Sequence, residues 1–62
     1  MSIKFFRKER GLSQKQLANK VNVSQQAVAA WESGRAYPRS DTLVHLAEVL
    51  GATADDLLRK EG

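Results

Sequence analysis

QKQLANKVNVSQQAVAAWES, residues 14 to 33, reads as two short helices joined by a tight turn. Rotating each residue by about 100° along a helix splits the second of them, from Gln25 onward, into two faces. Ala27, Val28 and Trp31 fall on one side. Gln25, Gln26, Ala29, Ala30 and Ser33 fall within an arc of about 140° on the other. That outer face carries two amides and small residues, without charge and without a large hydrophobe. A solvated helix face ordinarily carries Lys and Glu four residues apart, and those are missing here. Two readings stand at this point: a Gln/Ala-rich surface helix of good propensity, or a face kept uncharged for a polar partner. Gln can bond bidentately to an adenine edge, and Ala can meet a thymine methyl. Gln25, Gln26, Ala29 and Ala30 are therefore candidate base readers.

The flanking residues build the frame for that face. Ser13 is a good N-cap, and Gln16 three residues later completes a capping-box pattern, so a helix is expected to start at Gln14. Leu17, Ala18 and Val21 form its buried side, with Ala18 small enough for two helices to cross closely. The chain must reverse at Asn22, a residue that tolerates the left-handed backbone conformation. Ser24 caps the next helix. Free amides at both helix starts can bind phosphate oxygens, which makes Gln14 and Ser24 candidate DNA-backbone anchors alongside plain capping.

From Ile3 to Leu58 the chain resembles the helix-turn-helix domain of phage repressors, Cro proteins and their bacterial relatives, the xenobiotic-response-element type. The residues that carry the resemblance are LSQKQLA at Leu12 to Ala18, VSQQAVAAWESGR at Val23 to Arg35, Pro38, and LVHLAEVLGA at Leu43 to Ala52, in family order and spacing. The chain departs from the pattern at Asn22, where relatives usually have Gly, and at Ala29 and Ala30, where many carry polar base-reading side chains. The resemblance implies an all-α, five-helix repressor-like domain with its helix-turn-helix at helices two and three. It also implies a partly buried ion pair between Arg7 and Glu32, which would withdraw Arg7 from DNA. In the loop GRAYPR, Gly34 to Arg39, it marks Arg35 as the best phosphate ligand and Arg39 as a minor-groove contact, with Tyr37 between them; the bland reading of this loop is a solvated turn.

Charge points the same way. The 62 residues hold 10 Lys+Arg and 7 Asp+Glu, a net charge of +3. Residues 1 to 40 carry eight bases (Lys4, Arg7, Lys8, Arg10, Lys15, Lys20, Arg35, Arg39) against Glu9 and Glu32. Residues 41 to 62 carry Arg59 and Lys60 against Asp41, Glu48, Asp55, Asp56 and Glu61. The basic part contains the candidate reading helix, and a basic face attracts a phosphate backbone in a salt-dependent way. Lys4, Lys8, Lys15 and Lys20 read as solubilising charges that add diffuse attraction. With no long apolar run or signal peptide, a soluble cytoplasmic chain without membrane contact is expected, prokaryotic nucleoid-associated or phage-encoded. Absent cysteines exclude disulfides and thiolate metal sites.

One domain, residues 1–62, is expected, and a chain this short buries only about 60% of its unfolded surface. The patterns predict helices over Ser2–Arg10, Gln14–Lys20, Gln25–Ser33, Thr42–Leu50 and Ala54–Arg59, with Gly11, Gly34 and Gly51 as C-terminal caps. Thr53 should cap the last, with Asp55 and Asp56 in its first turn. The expected core is Ile3, Phe6, Leu12, Leu17, Ala18, Val21, Val23, Val28, Trp31, Leu43, Leu46, Ala47, Leu50 and Leu57, with Phe5 partly exposed and the single histidine, His45, at the surface. No cysteine, carboxylate pair or Gly-rich phosphate loop has active-site spacing, so neither an enzyme nor a metal or other cofactor is expected.

The function expected from all this is a sequence-specific, DNA-binding transcriptional regulator of the repressor or Cro type, with its third helix in the major groove. One helix reads few base pairs, so a two-fold symmetric operator is expected, bound by a weak homodimer or a dimer formed on DNA, with half-sites about 34 Å apart. The residues after Leu58 offer no dimerisation heptad. The alternative is the same fold used as a protein interaction module, as an antitoxin or coactivator-like adaptor uses it.

Overall fold

A computed structural model describes residues 1–59. The last three residues of the single-domain reading, 60–62, lie outside the described residues. Five helices follow one another: α1 (Ile3–Glu9), α2 (Gln14–Val21), α3 (Gln25–Ser33), α4 (Ser40–Leu50) and α5 (Ala54–Leu58). There is no strand among the described residues. α2 packs on α3 and α4, α4 on α5, and α1 on α3. The whole measures 24 × 23 × 21 Å.

Each helix is too short to persist alone in water, and each is held by an apolar stripe turned to one shared core. Ile3 of α1, Leu17, Ala18 and Val21 of α2, Val28 and Trp31 of α3, Leu46 and Leu50 of α4, and Leu57 of α5 are buried there. Phe6, Leu12, Val23, Leu43 and Ala47, expected in that core, are half-buried at its margin, and Met1, Val49 and Ala52 join them. In so small a body the centre holds few side chains.

The helix ends are fixed locally. α1, α2, α3 and α4 all close with a left-handed residue, at Gly11, Asn22, Gly34 and Gly51. In each case the next amide reaches back to a carbonyl five residues earlier: Leu12 to Arg7 at 3.1 Å, Val23 to Ala18 at 2.9 Å, Arg35 to Ala30 at 2.9 Å, and Ala52 to Ala47 at 3.0 Å. This is the Schellman closure, which satisfies carbonyls a bare helix end would leave open. Asn22 takes φ 61 and ψ 45, so the chain reverses there in the left-handed conformation without a glycine.

Five boundaries differ from the sequence expectation, one of them only in that α2 runs one residue past Lys20 to Val21. α4 begins at Ser40, two residues before Thr42, because Arg39 adopts an extended backbone and serves as N-cap without a side-chain bond, a role no residue preference would mark. α1 begins at Ile3 and stops at Glu9. Ser2 precedes it and instead donates its amide to the Leu57 carbonyl at 2.8 Å and its hydroxyl to the Arg59 carbonyl. α5 stops at Leu58, where Arg59 turns extended. Thr53 caps α5 in a reciprocal pair with Asp56, and that pair of bonds holds the Asp56 carboxyl below its ordinary value.

Arg10, expected as the last turn of α1, ties the two halves together. Its Nε donates to the Leu50 carbonyl at 3.1 Å, supplying a partner to the end of α4. The guanidinium lies over Gly51, where a β-carbon would collide with it.

Candidate nucleic-acid interface

α2 and α3 meet through a turn of three residues, and their sequences determine which surfaces they offer. Ser13 accepts from the Gln16 amide at 3.0 Å while the Gln16 side chain accepts from the Ser13 amide at 2.8 Å. Ser24 accepts from the Ala27 amide at 3.1 Å. These caps satisfy the third amide of each helix and leave the first two, at Gln14 and Lys15 and at Gln25 and Gln26, without a carbonyl behind them.

Along α3, Val28 and Trp31 are buried, Gln25, Gln26 and Ser33 are exposed, and Ala29 and Ala30 are half-covered. The remaining charge of the helix, Glu32, faces inward. Its side chain is 6% exposed and its Oε2 lies 2.7 Å from Arg7 Nε, while the Arg7 side chain is 10% exposed. Arg7 Nη2 donates to Glu32 Oε1 at 3.2 Å and Nη1 donates to the Leu12 carbonyl at 2.7 Å. The outward face of α3 is therefore uncharged because its one acid is spent on α1.

Gln14 belongs to the same cluster, since its side-chain amide donates to Glu32 Oε1 at 3.1 Å. Of the phosphate role expected for Gln14, the backbone amide remains available and the side chain is engaged. Burial alone pushes the Glu32 carboxyl up; the bonds from Arg7 and Gln14, with the charges of Arg7 and Lys4, outweigh it and hold the group below its ordinary value. Sequence reasoning missed the Gln14 bond, because a residue at the first position of a helix carries no signal of a partner eighteen positions away.

The loop after α3 is open. Arg35, Tyr37 and Arg39 are exposed, Tyr37 by 70%. Arg39 Nε lies 3.8 Å from Asp41 Oδ1 with both side chains mostly in water, a pairing worth little. Arg35 is folded back on α3, its Nε donating to Ser33 Oγ at 3.1 Å. The polar side of α3 and the basic loop are thus exposed, while Arg7 is buried against Glu32.

Elsewhere, His45 is exposed on α4. Among the described residues no group of three His, Cys, Asp or Glu could hold a metal ion, and no helix is long and apolar enough to cross a membrane.

The family model described as helix-turn-helix matches residues 3–57. The chain belongs to this helix-turn-helix family, of the Cro and repressor type. The helix-turn-helix domain is 38% identical over 52 residues to the HTH-type transcriptional activator BcrR of Enterococcus faecalis, covering 84% of this chain and 26% of that protein. It is 32% identical over 60 residues to the uncharacterized HTH-type transcriptional regulator YqaE of Bacillus subtilis, covering 97% and 52%. It is 49% identical over 45 residues to the putative multi-protein-binding factor 1 of Yarrowia lipolytica, covering 73% and 30%. The domain spans between a quarter and about half of the length of these relatives. No solved structure matches it at a significant level.

Proposed function

We propose that this domain is the sequence-specific DNA-binding part of a transcription regulator of the repressor or Cro type, with α3 placed in the major groove of duplex DNA. The observation that carries the reading is the outward side of α3, two exposed glutamines and two alanines with the helix's only acid turned inward. Gln25 and Gln26 reach base edges and Ala29 and Ala30 meet thymine methyls. The amides of Gln14 and Ser24, with Arg35, Arg39 and Tyr37, hold the sugar-phosphate backbone. A two-fold operator bound by a weak homodimer, or by a dimer formed on DNA, supplies the base pairs one α3 cannot read. Two relatives are named as transcriptional regulators, one of them an activator, and the docking of α3 is the same for either sign of regulation.

The test is fluorescence anisotropy with a random-sequence duplex. Micromolar binding that collapses between about 50 and 200 mM salt supports the nucleic-acid surface. A second reading, a protein-docking module, is favoured by the relative named as a multi-protein-binding factor. No duplex binding at the lower salt would leave that second reading in place of the first.

A further inference from the structure

Arg35 is treated differently from the other arginines. Arg7, Arg39 and Arg59 each face a carboxylate, and Arg10 is spent on the Leu50 carbonyl. Arg35 is held instead by a neutral hydroxyl. The Ala30 carbonyl accepts from the Arg35 amide at 2.9 Å and from Ser33 Oγ at 3.1 Å, and Ser33 Oγ accepts from Arg35 Nε at 3.1 Å. The three bonds close a ring through a single carbonyl at the C-terminal end of α3. A serine hydroxyl has one proton to give and two lone pairs, so it can serve both neighbours at once. Fixing Nε of a planar guanidinium fixes the plane and direction of its two terminal nitrogens. Among the described residues neither terminal nitrogen has a partner, and the charge has not been neutralised by an ion pair.

We propose that Ser33 is a positioning residue, whose hydroxyl sets the Arg35 guanidinium as a ready-made phosphate clamp at the end of α3. This rests on the DNA reading above and adds to it the residue that prepares the ligand. The rotamer freedom of a long side chain is given up in the free protein, so less is lost on contact. A lysine, lacking the Nε–H and the fork, could not be held in this way.

Two measurements test it. In the free protein, nitrogen-15 NMR should show an Arg35 Nε–H that exchanges with water more slowly than that of Arg39, is lost in Ser33→Ala and is kept in Ser33→Thr. An Arg35 signal as fast as that of Arg39 in the wild type overturns the proposal alone. The second is anisotropy on a random-sequence duplex over a salt series. Arg35→Ala should weaken binding and lower the salt slope by about one. Ser33→Ala should weaken binding about threefold with the slope kept, since the arginine still reaches phosphate but is no longer preset. Ser33→Thr should bind as the wild type, and Ser33→Ala should cost nothing further once Arg35 is alanine. An equal loss from Ser33→Ala in both backgrounds, or no loss while Arg35→Ala is weakened, overturns the positioning and leaves the DNA reading intact. Absence of duplex binding by the wild type overturns both.

Discussion

Gln25 and Glu32 lie nearly in line along one helix, two turns apart, yet their surroundings differ: Gln25 is exposed, whereas Glu32 is enclosed with Arg7 and Gln14. If Gln25 reads a base edge, Gln25→Ala should cost about 1 to 3 kcal/mol on the cognate site and little on random DNA. Equal losses on both, measured by anisotropy, would remove the base-reading role. Glu32→Gln acts on stability instead. It leaves a buried arginine uncompensated, so about 3 kcal/mol should be lost in urea unfolding, while the paired change Arg7→Met with Glu32→Leu should cost much less. The pH dependence has a definite sign. A carboxyl held low in the folded state contributes fully above its ordinary value of 4.5, and that contribution disappears as pH falls through the lowered value. The gap in melting temperature between wild type and Glu32→Gln should therefore shrink in acid, and a gap unchanged at pH 3 would take ionisation out of the account.

Among the elements, what was legible in the sequence is what neighbouring residues decide. Ser13, Ser24 and Thr53 sit where caps were expected, and Asn22 and the glycines sit where the chain leaves a helix, because each acts within a few positions of itself. The start of α4 was not legible, since Arg39 caps it by backbone shape alone. Nor were Arg10 on Leu50, Ser2 on Leu57 or Gln14 on Glu32, where partners far apart in sequence meet only after the helices pack. The same limit held at the candidate site: the polar face of α3 followed from periodicity, but the engagement of Gln14 and the ring at Ser33 did not. Gly51 tests one long-range tie. At φ +66 any side chain is strained, and a β-carbon also displaces the Arg10 guanidinium from the end of α4. Gly51→Ala should cost about 1 to 2 kcal/mol from backbone strain plus the lost bond. Gly34→Ala, at φ +82 in open space, pays the strain alone, so in thermal unfolding the Gly51 variant should be the less stable of the two.

The molecule as a whole separates its charge along the chain, with bases gathered before residue 41 and acids after it. If the basic part meets DNA, the logarithm of the affinity should fall linearly with the logarithm of salt, with a slope near 0.9 per phosphate neutralised. A titration of the duplex in which affinity hardly changes with salt would count against a polyanion partner. The tie of Ser2 to Leu57 and Arg59 bears on something else. It brings the head of α1 beside the end of α5, so a short peptide could join them and the ring be reopened elsewhere, giving a circular permutant with its helices in place. By the same geometry the unit could be spliced into a surface loop of a host protein, entering and leaving through one narrow gap.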